Sequence, residues 1–173
     1  TSFLIRADAF YRIISLQTNG YAAVITNTRC MTLAWNNLTA NGALSASFGI
    51  GLTSNNTPEW WLAQFGWTNN FETAATNDTD GDLAPAWQEY LADTCPTNTD
   101  SCLRFAVIRR SASQQRIEWS GGTGSFQYLE MSSQLFSNDW KTVYTSMPPT
   151  SISNSVDVTG SVQSAFYRIR ASR

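Results

Sequence analysis

Arg116-Ile-Glu-Trp-Ser-Gly-Gly-Thr-Gly-Ser-Phe-Gln-Tyr-Leu-Glu-Met131 is the stretch that decides the fold. Arg116–Trp119 and Phe126–Met131 are short runs rich in branched and aromatic residues, with Gly121-Gly122 between them. Such runs, separated by a glycine turn and no helix, read as paired antiparallel strands. Outward from them lie further strand candidates: Leu103–Arg109, Trp140–Thr145, Val156–Val158 and Ala165–Arg170. Asn138-Asp139 and Met147-Pro148-Pro149 supply turns. Short strands at this spacing predict an antiparallel β-sandwich of immunoglobulin or fibronectin type over residues 103–173.

The other end of the chain is also β. Phe3-Leu-Ile, Phe10-Tyr-Arg-Ile-Ile, Tyr21-Ala-Ala-Val-Ile and Met31-Thr-Leu-Ala-Trp carry the composition of strands. Asn19-Gly20 is a strong hairpin signal, and Asn41-Gly42 marks a turn before Leu44–Leu52. Residues 1–56 thus form an N-terminal β segment, read as a half-domain or a donated strand.

The period changes over residues 57–102. Thr57 suits an N-cap, Pro58 a first helical position and Gly66 a stop, which predicts a helix over Pro58–Phe65. Asn69 to Asn77 reads as a polar connector, and Pro85 opens a second helix over about Ala84–Ala92. Between them, acids fall at positions 1, 3, 5 and 12 of a loop beginning at Asp78: Asp78, Asp80, Asp82 and Glu89. That is the ligand spacing of a helix-flanked calcium loop, with the Ala84 carbonyl as its backbone ligand and Glu89 bidentate. Asp93, Asn98 or Asp100 in the following turn is a candidate for a further oxygen donor. Position 6 is Leu83, where glycine ordinarily supplies a positive φ, so strain is expected there. The bland reading of the same acids is a solvated turn with Asp82 as an N-cap.

Charge patterning supports a cation. No Lys or Arg occurs from Cys30 to Leu103, whereas eight of the 13 acids do. Such a block needs counter-charge from outside itself. It also disfavours nucleic acid as a partner for the centre of the chain. There is no His, which removes the commonest general base and transition-metal ligand. No apolar run is long enough to span a membrane as a helix. The turn Gly121-Gly122-Thr-Gly124 lacks the lysine and the following helix of a phosphate loop.

One internal repeat stands out. Ala9-Phe10-Tyr11-Arg12-Ile13 recurs as Ala165-Phe166-Tyr167-Arg168-Ile169. The plain reading is two similar strands in related half-domains. The sharper reading is that the N-terminal copy fills the slot of the C-terminal copy in another subunit, joining copies by backbone ladder bonds.

Cys95 and Cys102 bracket a short loop and read as a disulfide clip, with Cys30 left over; the alternative is three small buried hydrophobes. Three glycosylation sequons begin at Asn37, Asn55 and Asn77. Trp60, Trp61 and Trp67 form either a sugar-stacking platform or part of a core. Glu118 and Glu130, on neighbouring candidate strands, are the one pair of carboxylates that suggests glycoside hydrolysis; the alternative is ordinary strand acids facing arginines.

Pro58-Glu-Trp-Trp, Phe65-Gly66, Asp78-Thr-Asp-Gly-Asp82, Gln88-Glu-Tyr-Leu91, Ile117-Glu-Trp119 and the terminal Phe-Tyr-Arg-Ile together resemble secreted bacterial cell-surface modules with a Trp-rich helix before an acidic calcium repeat. Asp93 to Ser101 stands where such modules often have Gly-Thr-Asp-Pro. The acidic loop is also similar to dockerin and thrombospondin type 3 repeats. The resemblance covers about residues 58–173. It implies an extracellular or cell-surface, calcium-stabilised, non-catalytic module and names no ligand.

The functional expectation is therefore a structural subunit that binds Ca²⁺ and polymerises with copies of itself into a filament. The rival is a carbohydrate-binding or adhesion module of a larger surface protein.

Overall fold

The structure is a computed structural model. It describes residues 1–36, 41–111, 114–136, 138–159 and 165–173. The sequon at Asn37 lies outside the described residues. The chain divides into two compact units, Thr1–Glu72 and Thr73–Arg173. The first helix belongs with the N-terminal strands, and the acidic loop with the C-terminal ones.

In the first unit, β1 (Ser2–Arg6) pairs antiparallel with β4 (Cys30–Ala34). β2 (Tyr11–Thr18) lies between β3 (Tyr21–Ala22) and β5 (Leu44–Ile50). The hairpin from β2 to β3 turns at Asn19-Gly20, both at positive φ, which is the conformation that selects Asn-Gly. Ile5, Ala7, Ile13, Leu16 and Met31 form the core. Ile13 and Leu16 share it although three apart, because a register shift after Ile13 adds a residue to β2.

The N-terminal copy of the repeat is built into this sheet. Ala9 and Phe10 form a turn, with Phe10 at positive φ, and Tyr11–Ile13 pair with Phe48–Ile50. The strand's other edge is engaged too, since the Ile13 amide donates to the Thr28 carbonyl.

Helix α1 runs Glu59–Gln64. Its N-cap is Pro58, not Thr57, and no side chain caps it. Thr57 is fully buried and its amide donates to the Thr53 hydroxyl. The expected polar connector contains a helix, α2 (Phe71–Thr76). Phe71, Ala74 and Ala75 are buried at i, i+3 and i+4, the helical spacing of one apolar face.

The second unit holds α3 (Ala86–Ala92) and six strands: β6 (Arg104–Arg110), β7 (Gln114–Ser120), β8 (Phe126–Ser132), β9 (Lys141–Ser146), β10 (Ser153–Thr159) and β11 (Phe166–Ser172). All pairings are antiparallel, in two three-stranded sheets ordered β10-β7-β6 and β11-β8-β9. Ile117 and Trp119 of β7 and Leu129 of β8 are buried together, against Val156 and Val158 of β10 and Tyr167 and Ile169 of β11. One apolar cluster thus draws on both sheets, and each large side chain buried there contributes about 1.5–3 kcal/mol. The protein is mainly β and antiparallel, as the sequence indicates. Immunoglobulin sandwiches have at least seven strands, and six are described in this unit.

The buried end of this unit is polar and fully bonded. The Trp119 indole N–H donates to Gln127 Oε1 at 2.7 Å, and Gln127 Nε2 donates to the Gly122 carbonyl at 2.7 Å. The carbonyl also accepts from the Thr150 hydroxyl. This network fixes the β7–β8 turn, onto which α3 docks. The Gly122 amide and the Ser125 hydroxyl both donate to the Ala92 carbonyl. A Cβ at Gly122 would collide with the Ala92 and Asp93 carbonyls. The glycines of the opening stretch therefore do more than turn the chain: they admit the end of a helix.

Candidate metal centre

The acidic loop is organised by its own backbone. Asp78 accepts hydrogen bonds from the amides of Gly81 and Leu83, both at 2.9 Å. Asp80 accepts from the Asp82 amide, and Asp82 from the Ala84 amide. These bonds curl the loop so that carboxylate oxygens of Asp78, Asp80 and Asp82 lie within 4.8 Å of one another. This cluster can hold a metal ion. Leu83 adopts the positive φ that the spacing demands of position 6, at +77°, and its side chain is 89% exposed. A leucine there carries left-handed strain of about 1 kcal/mol or more and gains nothing from burial.

Glu89, on α3, lies within electrostatic reach of the cluster. Pro85 caps the helix, the Ala86 amide donates to the Asn77 carbonyl, and the helix presents Glu89 inward at 1% exposure. Its Oε1 accepts a long bond from the Thr94 hydroxyl, while its Oε2 is buried without a partner. Buried oxygens of Asp80 and Asp82 are also unpartnered. Burial, then the charges of Asp82, Asp80 and Asp78, push the Glu89 carboxyl up to about 8. Three clustered carboxylates and a fourth coupled to them electrostatically thus have no Lys or Arg paired to any of them among the described residues. Buried, unpaired acceptors of this kind cost several kcal/mol unless protonated or bound to a cation.

Glu59, Glu72 and Asp93, also in the cation-poor block, find other partners. Glu59 is 5% exposed and is paired by Arg12 and Arg29, which precede the block in sequence. Glu72 accepts from the Ser54 amide and hydroxyl. Asp93, expected to add an oxygen to the loop, is turned away: it caps α3 in the left-handed region, pairs with Arg173 and accepts from the Gly124 amide. Asn98 accepts from the Asp100 amide within its own turn.

Cys30, Cys95 and Cys102 are all free thiols, so the Cys95–Cys102 clip does not form. Hydrogen bonds close the intervening loop instead, including one from the Cys95 amide to the Ser101 hydroxyl. Cys102 is buried beside the loop, and burial, then Asp82, push its thiol up to about 11.

The other candidates separate. Glu118 and Glu130 lie on different sheets, each next to core residues of its own strand and so facing away from the shared core. Glu118 bonds Arg116 at 2.9 Å; Glu130 bonds Arg168 at 2.6 Å and Arg170 at 3.2 Å. The structure does not bring them together as a carboxylate pair. Trp61 is 5% exposed and packs edge-on against Phe65, which contacts Trp67. These rings pack on one another rather than forming an open platform. Trp60 is the exposed member at 38%.

Sequence reasoning missed the pairing of Glu59 with Arg12, although the cation-free block containing Glu59 was a signal that its partner must come from outside. Among the described residues no helix is long and apolar enough to cross a membrane. No protein-family model, no curated protein and no solved structure matches this chain.

Proposed function

We propose that this protein is a calcium-stabilised, non-catalytic structural subunit of the cell exterior that associates with copies of itself. The observation that carries the proposal is the buried Glu89 carboxylate, its Oε2 without a partner and within electrostatic reach of Asp82, Asp80 and Asp78. A hard, oxygen-seeking cation satisfies all four groups at once, and calcium suits a flexible all-oxygen set of this spacing better than magnesium. Asp78, Asp80, Asp82, Glu89 and the Ala84 carbonyl would hold it. The loop lies immediately before α3, whose end docks on the β7–β8 turn, so the cation would stiffen the unit. A role in rigidity fits the placement.

Self-association rests on the repeat. In both copies the arginine neutralises a buried glutamate, Arg12 with Glu59 and Arg168 with Glu130. The two copies thus share this ion pair, although Glu59 lies at the start of α1 and Glu130 directly across from Arg168 on β8. In the single chain each copy occupies its own sheet, so exchange between subunits requires the N-terminal unit to open first. A head-to-tail exchange that does not close gives a fibre. Electron microscopy and sedimentation of the calcium-loaded protein test this. Filaments or a concentration-dependent ladder of oligomers are expected. Monomers alone, even after seeding or partial denaturation and recovery, would overturn the self-association.

A further inference from the structure

The outer face of the β11-β8-β9 sheet carries a ladder that the calcium reading does not use. Tyr128 and Glu130 point outward on β8, and Arg170 and Arg168 stand directly across from them on β11. Each arginine gives its Nε to a different oxygen of Glu130. Arg168 also lies 4.5 Å over the Trp140 ring and Arg170 4.2 Å over the Tyr128 ring. Phe126 continues the row, stacked on Tyr128 at an interplanar angle of 15°.

Glu130 is thereby spent. It is 6% exposed and fully bonded, while both arginine side chains remain 49% exposed. One carboxylate serves two guanidinium groups, so the face keeps a net positive charge. The Nη atoms of Arg168 and Arg170 bond no partner among the described residues. The two forks are two residues apart on one strand, about 7 Å, and are held in place by the ring beneath and the carboxylate beside them. Guanidinium forks held rigidly in this way bind carboxylate and sulfate groups bidentately with little loss of side-chain entropy. Rings at the same level offer apolar edges to sugar C–H groups.

We infer that this face binds an anionic polysaccharide through Arg168 and Arg170, with Phe126, Tyr128 and Trp140 against the sugar rings. Charge density selects this occupant over nucleic acid. The chain carries a formal net charge of −2 and has a pI near 5.0, so a polymer with a charge on every phosphate is repelled overall. A polymer with one or two anionic groups per disaccharide can meet the two forks alone. Arg170 also lines a cavity with Ala84 and Glu89, so the forks stand beside the metal loop.

The test is isothermal titration of the full, calcium-loaded chain with chondroitin sulfate, which carries both carboxylate and sulfate. Neutral dextran and a single-stranded oligonucleotide serve as the other arms. Chondroitin sulfate is expected to bind at low salt, dextran not at all, and the oligonucleotide about tenfold more weakly or worse. The double variant Arg168→Lys with Arg170→Lys keeps Glu130 neutralised but removes both forks; binding is expected to fall about tenfold for the lost charge-assisted bonds. Glu130→Gln frees the arginines from their internal carboxylate and is expected to tighten binding severalfold. Circular dichroism and melting of each variant establish folding, and if Glu130→Gln does not fold, the lysine pair decides. Absence of chondroitin sulfate binding, full affinity in the lysine variant, or equal binding of dextran or the oligonucleotide would each overturn the inference.

Discussion

Arg12 closes on the buried carboxylate of Glu59, 47 positions further along the chain. Arg29 reaches the same carboxylate at 3.2 Å. The contact ties the start of β2 to the start of α1. It also supplies, from outside, the counter-charge that the sequence around Glu59 lacks. Arg12→Ala leaves Glu59 buried with one exposed partner and is expected to cost about 1–3 kcal/mol. Glu59→Gln in the same background should recover part of that loss. A double-mutant cycle by urea denaturation measures the coupling, and additive losses would show that the pair contributes no coupling energy.

Calcium should raise the melting temperature of the native protein. A ligand bound only by the folded state at a hundred times its dissociation constant contributes about 2.7 kcal/mol. Chelator is expected to lower the melting temperature and calcium to restore it. Asp80→Asn and Glu89→Gln should each abolish the response. Calorimetric melting with and without chelator checks this, and identical curves would refute the calcium site.

The pH dependence of the chelated protein follows from Glu89. Its folded pKa is raised to about 8 from an ordinary value near 4.5. Between those values the native state holds a proton that the unfolded chain has lost, so stability falls as pH rises through that window. Chelated protein is therefore expected to melt progressively lower from about pH 5 to about pH 8. Glu89→Gln should flatten this slope, and calcium should oppose it by favouring the ionised carboxylate. A pH series of melting curves with chelator decides the matter; a chelated protein that gains stability across the window would contradict it.

Gly122→Ala tests the docking of α3 on the β7–β8 turn. The new Cβ meets two backbone carbonyls, which cannot rotate away as a side-chain tip would. A loss of about 1–3 kcal/mol is expected, as for other overpacked sites. If α3 links the loop to the sheets, this variant should also weaken calcium binding. Titration of the variant with calcium, monitored by intrinsic tryptophan fluorescence, reads both effects. Wild-type stability would show that the turn gives way easily.

The strands were legible in the residues because their cues are local. Branched and aromatic runs between glycine, asparagine and proline turns mark β6 to β11 to within a few residues. Asn19-Gly20 announces its hairpin by the φ values that few other residues accept. The acid spacing from Asp78 to Glu89 likewise anticipates both the carboxylate cluster and the positive φ at Leu83. Helix α2 was missed because six residues give barely two turns of periodicity, and Thr and Asn around them read as connector. Spacing has a limit at the cysteines: Cys95 and Cys102 are free in the structure, and Cys102 turns inward beside Asp82, which no count of intervening residues reveals.

The sequence by itself determined which segments are β, where the chain turns, and which acids a short loop gathers. These depend on backbone propensity and on neighbours a few positions away. Only the tertiary structure decided which charges are neutralised and which are left over. It paired Glu59 with Arg12, drew Asp93 away to Arg173, set Glu118 and Glu130 on different sheets, and buried Glu89 with its Oε2 unpartnered among the described residues. A charge interacts through space, and the partner that chain folding brings within a few ångströms is set by sheet order and helix docking, which are properties of the whole packed unit.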